Sequence, residues 1–113
     1  MTLRPHPFSL IESGRKTIEL RVMYPDRKPF NRGDTITFTN TEDKDKKLHV
    51  RVIDVYHFPS FVELYQSLPL LECGYTEETV ANAKPSDMDI YYSKEIQAKY
   101  SVVGIKIALI SSK

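Results

Sequence analysis

The chain of 113 residues has no tryptophan, one cysteine and four glycines, and each shortage closes off a class of chemistry. The single cysteine, Cys73, cannot form an internal disulfide and has no Cys or His at metal-ligand spacing. Four glycines leave no phosphate-binding loop and no dinucleotide fingerprint, and no Gly-x-Ser-x-Gly elbow marks a serine nucleophile. His6, His49 and His57 never fall at i, i+4 with one another, so neither a metal nor a cofactor is expected. Nowhere does an apolar run approach the roughly 20 residues of a membrane-spanning helix. The amino terminus, Met1-Thr2-Leu3-Arg4-Pro5, lacks a secretory apolar core. Together with the lone cysteine this leads to the expectation of a cytoplasmic protein without a membrane partner.

An excess of one charge is missing too, since 16 Lys and Arg stand against 15 Asp and Glu. The balance is uneven along the chain, however. Residues 1–33 carry seven basic residues and three acidic ones, while the remaining eighty carry nine and twelve. A coat for duplex nucleic acid needs a broad basic face, which this is not; a small basic patch suits a short single strand, a nucleotide or one anionic group.

The length fits one domain, residues 1–113, with a single core. Pro5-His6-Pro7 opens a short helix from Phe8 to Ser13, which Gly14 ends. A strand follows over Thr17–Val22. Two prolines in Tyr24-Pro25-Asp26-Arg27-Lys28-Pro29 predict a basic loop. Thr35-Ile36-Thr37-Phe38-Thr39 alternates polar and apolar residues, the pattern of a half-buried strand. Leu48–Tyr56 is a second long strand whose apolar parity switches between Val50/Val52 and Ile53/Val55, which predicts a bulge near Val52 or burial on both faces. Ser60-Phe61-Val62-Glu63 has capping-box spacing and opens a helix to about Ser67. Short helices are expected over Thr76–Ala83 and Ser86–Lys94, and a last strand over Ser101–Ile110 with a kink at Gly104. Helices clustered between the last two strands predict an α+β fold: a small, curved, mostly antiparallel β-barrel with short helices at its ends.

The segment richest in chemistry is Gly14-Arg15-Lys16-Thr17-Ile18-Glu19-Leu20-Arg21. Strand alternation turns Ile18, Leu20 and Val22 one way and Thr17, Glu19 and Arg21 the other, with Lys16 at the mouth of the strand. Lysine can donate to a phosphate or a carbonyl oxygen, and arginine offers a planar fork to either. Glu19, if it faces inward, needs both cations as partners. Equally, these charges could form a structural ion pair or simply meet water. Tyr91, Tyr92, Tyr24 and Phe30 are candidates for stacking on a base. His57, at a strand end, reads as a hydrogen-bonded edge residue.

Gly14-x-Lys16-x-x-Glu19-x-Arg21, Gly33-Asp34-x-Ile36-x-Phe38, the strand end Val55-Tyr56-His57-Phe58, Ser60-Phe61-x-Glu63-Leu64, Ile90-Tyr91 and Val102-Val103-Gly104-Ile105 together resemble the ASCH domain over nearly the whole chain. That resemblance implies a PUA-like β-barrel closed by helices, and RNA binding in a cleft beside the first helix. It places Lys16, Glu19, Arg21 and Tyr91 as ligand-binding residues. Some small family members resemble hydrolases, and one group deacetylates N4-acetylcytidine with a lysine at the position of Lys16. Where that group has a catalytic threonine this chain has Glu19, and Glu72 lies nearest to its glutamate. Three functions stay open: an RNA- or nucleotide-binding protein, an amidohydrolase of an acylated nucleoside using Lys16 and Glu19, and an interaction module without a ligand.

Overall fold

The computed structural model describes residues 1–25 and 29–112. Asp26, Arg27 and Lys28 of the predicted basic loop lie outside the described residues. The elements are β1 (Thr2–Leu3), α1 (Pro5–Glu12), β2 (Ile18–Val22), β3 (Thr35–Asn40), β4 (Lys47–Phe58), α2 (Phe61–Ser67), α3 (Lys94–Lys99) and β5 (Val102–Ser112). Three 3-10 turns, Leu70–Cys73, Val80–Asn82 and Pro85–Ile90, fill the stretch between α2 and α3. The strands form one curled sheet in the order β1-β3-β4-β5-β2, antiparallel throughout except for the β1–β3 pair. This is the curved, mostly antiparallel sheet that the pattern of elements predicts, curled into a half-barrel.

Local chemistry accounts for most boundaries. Pro5 sits in the first turn of α1, where its missing N–H costs no hydrogen bond, and so the helix starts three residues earlier than predicted. Gly14, with φ +81°, turns the chain out of α1 toward β2. In α2 the Ser60 hydroxyl caps the helix by accepting the Val62 N–H, and it also donates to the Glu63 carboxylate. The expected helix over Thr76–Ala83 shrinks to the 3-10 turn Val80–Asn82. Here the Thr79 hydroxyl accepts the Thr76 N–H and competes with a helical ladder. The other expected helix divides into the 3-10 turn Pro85–Ile90 and α3, because Ser93 starts a fresh helix by capping the Ile96 N–H.

The parity switch in β4 is a bulge. Val52 pairs with Ile107 and Asp54 with Lys106, so Ile53 is left over and turns outward, 45% exposed. A second register shift between His49 and Val50 bends the same ladder. With the sheet curled in this way, the first part of β5, Val102 to Ile105, is buried on both faces, while Ala108 to Ser111 are exposed. Val103, Ile105 and Ile107 join Phe38, Leu48 and Val50 inside the curl, while Val102 packs with Ile18, Leu20, Val22 and Leu64 under the helices. Gly104 pairs with β2 and β4 alike, and its place is explained by close packing: a Cβ there would sit 2.5 Å from Leu68 Cδ1 and 3.3 Å from Ile18 Cγ2. Gly104→Ala is therefore expected to lower stability by about 1–3 kcal/mol. Leu68→Ala in the same chain should recover part of that loss, as denaturant titration of the single and double variants would reveal.

Candidate functional site

β1 and β2 are the two edges of the curled sheet, and no backbone ladder joins them among the described residues. The seam is bridged by a side chain instead: Arg21 Nη2 of β2 donates to the Thr2 carbonyl of β1 at 3.1 Å. Glu19 pairs with Ile105 and Arg21 with Val103, both members of the inner core. Paired residues share a face, so the polar row of β2 points into the curl. Its opposite row, Ile18, Leu20 and Val22, is buried beneath the helices. The strand thus has no face toward open water.

At 3% exposure Glu19 is the most buried charged residue described, and both its oxygens are taken. Lys16 Nζ lies 2.8 Å from Oε1, while Arg21 Nε and Nη2 lie 2.9 and 2.7 Å from Oε2. Burial alone would push the Glu19 carboxyl up; the charges and hydrogen bonds of Lys16 and Arg21 outweigh it and hold the carboxyl below its usual range. Lys16 is held by its own backbone, whose N–H bonds the Leu10 carbonyl at the end of α1, and its stem runs beside Gly74, where a Cβ would sit 3.5 Å from Lys16 Cδ. The guanidinium of Arg21 also sits 6.0 Å from the centre of the Phe38 ring.

These groups open into a cavity of about 510 Å³, within the size range of small-ligand pockets. Lys16, Glu19, Arg21 and Tyr91 all line it. Tyr91, 47% exposed, stands under the Arg4 guanidinium at 5.3 Å. Tyr92 lines it too, with its ring stacked on Phe61. Tyr24 packs on Tyr100 and Phe30 against the inner core, and neither lines the cavity. Glu72 stays outside as well: its carboxylate accepts the Thr17 hydroxyl at 2.8 Å and lies 4.0 Å from Lys106. His49 Nδ1 lies 2.9 Å from Thr37 Oγ1, while His57 is exposed at the end of β4. Among the described residues, no group of three or more His, Cys, Asp or Glu side chains could hold a metal ion, and no helix is long and apolar enough to cross a membrane.

Sequence reasoning missed several wall residues: Arg4, His6, Tyr65, Cys73, Tyr75 and Asp87. Burial pushes the Cys73 thiol up to about 12, so it stays protonated at neutral pH and is a poor nucleophile. Asp87 is the second carboxylate of the wall. Only its acidic type, in a segment crowded with tyrosines, hinted at a polar role.

A curled, mostly antiparallel half-barrel of five strands with a few short helices is an ASCH/PUA-like fold. Residues 1–111 match the ASCH domain, and the chain belongs to that family. The hypothetical protein PH0355 is 28% identical, with a TM-score of 0.72 over 97% of this chain and 96% of its own. Protein PF0455 from Pyrococcus furiosus is 25% identical, with a TM-score of 0.69 over 98% and 96%. ASCH from Zymomonas mobilis, 16% identical with a TM-score of 0.62 over 96% of this chain and 64% of its own, shares the fold. No curated protein matches this chain.

Because its folded-state pKa lies below the ordinary 4.5, Glu19 stabilises the fold in its ionised form. That contribution is complete above about pH 4.5 and is lost as pH falls through the folded value. Glu19→Gln leaves two cations without their partner and should cost about 3 kcal/mol near neutral pH. Denaturation of both proteins from neutral into acid pH should show the gap closing. A gap independent of pH would mean that the carboxylate is not held by the two cations.

Proposed function

We propose that the cavity binds a nucleotide, or one unstacked base of a single-stranded RNA. In this reading Lys16 and Arg21 meet its anionic or carbonyl oxygens, and Tyr91 meets the base. The observation that carries it is the buried Lys16–Glu19–Arg21 trio. Two cations around one carboxylate leave one positive charge at the wall of a cavity of nucleotide size. Charge concentrated there, in a chain with a net charge of only +1, favours a contact with few phosphates over coverage of a duplex. ASCH domains are associated with RNA binding, which agrees with this reading. Glu19 acts as the post that aims both cations, and the exposed ring of Tyr91 offers a stacking surface worth about 1–3 kcal/mol per base.

Fluorescence anisotropy with short single-stranded RNA tests the assignment. Glu19→Gln should weaken binding by about tenfold or more while the domain stays folded, since misaimed cations lose directed hydrogen bonds. Arg21→Lys keeps the charge but loses the fork and should also bind more weakly. The logarithm of affinity should fall with the logarithm of salt at a slope of about −0.7 to −1.4, as for one or two phosphates on a single strand. Wild-type affinity in both variants would refute the assignment.

A second reading, hydrolysis of an acylated nucleoside such as N4-acetylcytidine, draws on the 2.8 Å Lys16–Glu19 contact beside the cavity. There Lys16 would stabilise the oxyanion and Glu19 would take a proton from the attacking water. The low basicity of a carboxylate bonded to two cations weighs against it. Incubation with N4-acetylcytidine and chromatography of the products decides: free cytidine supports this reading, and unchanged substrate removes it.

A further inference from the structure

Side chains alternate along a strand, so consecutive residues border one cavity where the edge of the strand faces it. Glu19, Leu20 and Arg21 of β2 all line the cavity, and so do Thr2 and Leu3 of β1. The cavity therefore lies between the two open edges of the sheet. The β2–β5 ladder fixes which backbone groups β2 turns toward it. Ile107 N–H donates to the Thr17 carbonyl and Met23 N–H to the Ser101 carbonyl, both at 2.9 Å. Between these two bonds the register runs unbroken from Ile18 opposite Lys106 to Val22 opposite Val102. Antiparallel pairs alternate between bonded and non-bonded. Glu19 and Arg21 thus spend their backbone groups on β5, while Ile18, Leu20 and Val22 turn theirs to the open edge. Of these three, only Leu20 lines the cavity. Its N–H and C=O point the same way, a donor beside an acceptor, and neither meets a partner among the described residues. Across the seam Thr2 is exposed, and its carbonyl already accepts from Arg21. Leu20 is only 7% exposed, and backbone groups at that depth are rarely left unpaired.

We propose that Leu20 reads the Watson–Crick edge of an unpaired nucleobase through its backbone: its N–H donates to a ring nitrogen or oxo oxygen, and its C=O accepts from the neighbouring N–H. The inference rests on the nucleotide reading of the cavity and adds to it the part of the base that is recognised. Each base of RNA carries an acceptor next to a donor on that edge: a ring nitrogen beside the amino group in adenine and cytosine, an oxo oxygen beside the ring N–H in guanine and uracil. The Leu20 pair accepts any of them. It turns away a base whose edge is alkylated or already paired, because the buried donor and acceptor would then be covered without gaining a bond. Lys16 and Arg21 remain for anionic oxygens, and Tyr91 for the face of the base.

Calorimetric titration with UMP and with 3-methyl-UMP tests the reading of the edge. The methyl group removes the one donor that uracil has there, and affinity should fall by about tenfold or more. Exchange of Leu20 for leucic acid, its α-hydroxy counterpart, by semisynthesis turns the N–H into an ester oxygen and keeps the side chain. The N–H groups of Glu19 and Arg21 stay in the ladder, and UMP should bind about tenfold more weakly. Hydrogen exchange reads the contact directly. In the free protein the Leu20 amide should exchange faster than those of Glu19 and Arg21, and saturating UMP should slow it by about tenfold or more. Equal affinity for UMP and 3-methyl-UMP, wild-type affinity in the ester variant, or a Leu20 amide unaffected by bound UMP overturns the inference and leaves nucleotide binding standing. Failure to bind both UMP and a short single-stranded uridine oligomer overturns the nucleotide reading, and the inference with it.

Discussion

A carboxylate buried on the inner face of a curled sheet persists as an anion only if cations are buried with it, and the geometry around the seam follows from that requirement. An unpaired charge at the depth of Glu19 would cost several kcal/mol. Its two partners arrive by different routes. Arg21 comes from the same strand two residues on, where alternation returns it to the same face. Lys16 comes from the turn after α1, its backbone tied to Leu10 and its stem running beside Gly74. Arg21 then reaches past Glu19 to the carbonyl of Thr2, so the group that neutralises the buried charge also links the two sheet edges. Electrostatics and closure of the half-barrel are one interaction here.

That arrangement leaves a cavity instead of a packed seam. A short β1 and a β2 given over to charge do not fill the gap between the edges, and α1 with the helical stretch after α2 roofs it. The walls differ in kind. β2 brings charge, Tyr65, Tyr75 and Asp87 form a hydrogen-bonded chain, and Leu10, Leu20, Met88 and Tyr91 supply apolar surface. Membership of the ASCH family fixes the architecture, while this particular set of wall residues belongs to the chain itself.

Much of the framework was legible because short-range rules decide it. The unbroken alternation of Thr35–Thr39 is β3, the parity switch of β4 is a bulge at Ile53, and Ser60 caps α2. Elements set by distant partners were not legible. Two residues, Thr2 and Leu3, are too few to show a period, and β1 exists because Met1, Thr2 and Leu3 meet β3. The segment after α2 carries helix-like composition yet forms 3-10 turns, its polar side chains bonding local backbone or one another.

By itself the sequence determined that Glu19 and Arg21 share a strand face, that Lys16 stands beside them, and that the other face of β2 is apolar. These follow from the two-residue period of a strand and need no knowledge of the rest of the chain. Only the tertiary structure decided that the polar row turns into the curl, that Arg21 spans to β1, and that Tyr65, Tyr75 and Asp87 meet at the same cavity. Those outcomes depend on the curl of the sheet and on contacts between residues far apart in the chain. Nothing in the local order of side chains specifies where distant segments come to rest, because long-range packing chooses among alternatives that local geometry leaves equal in energy.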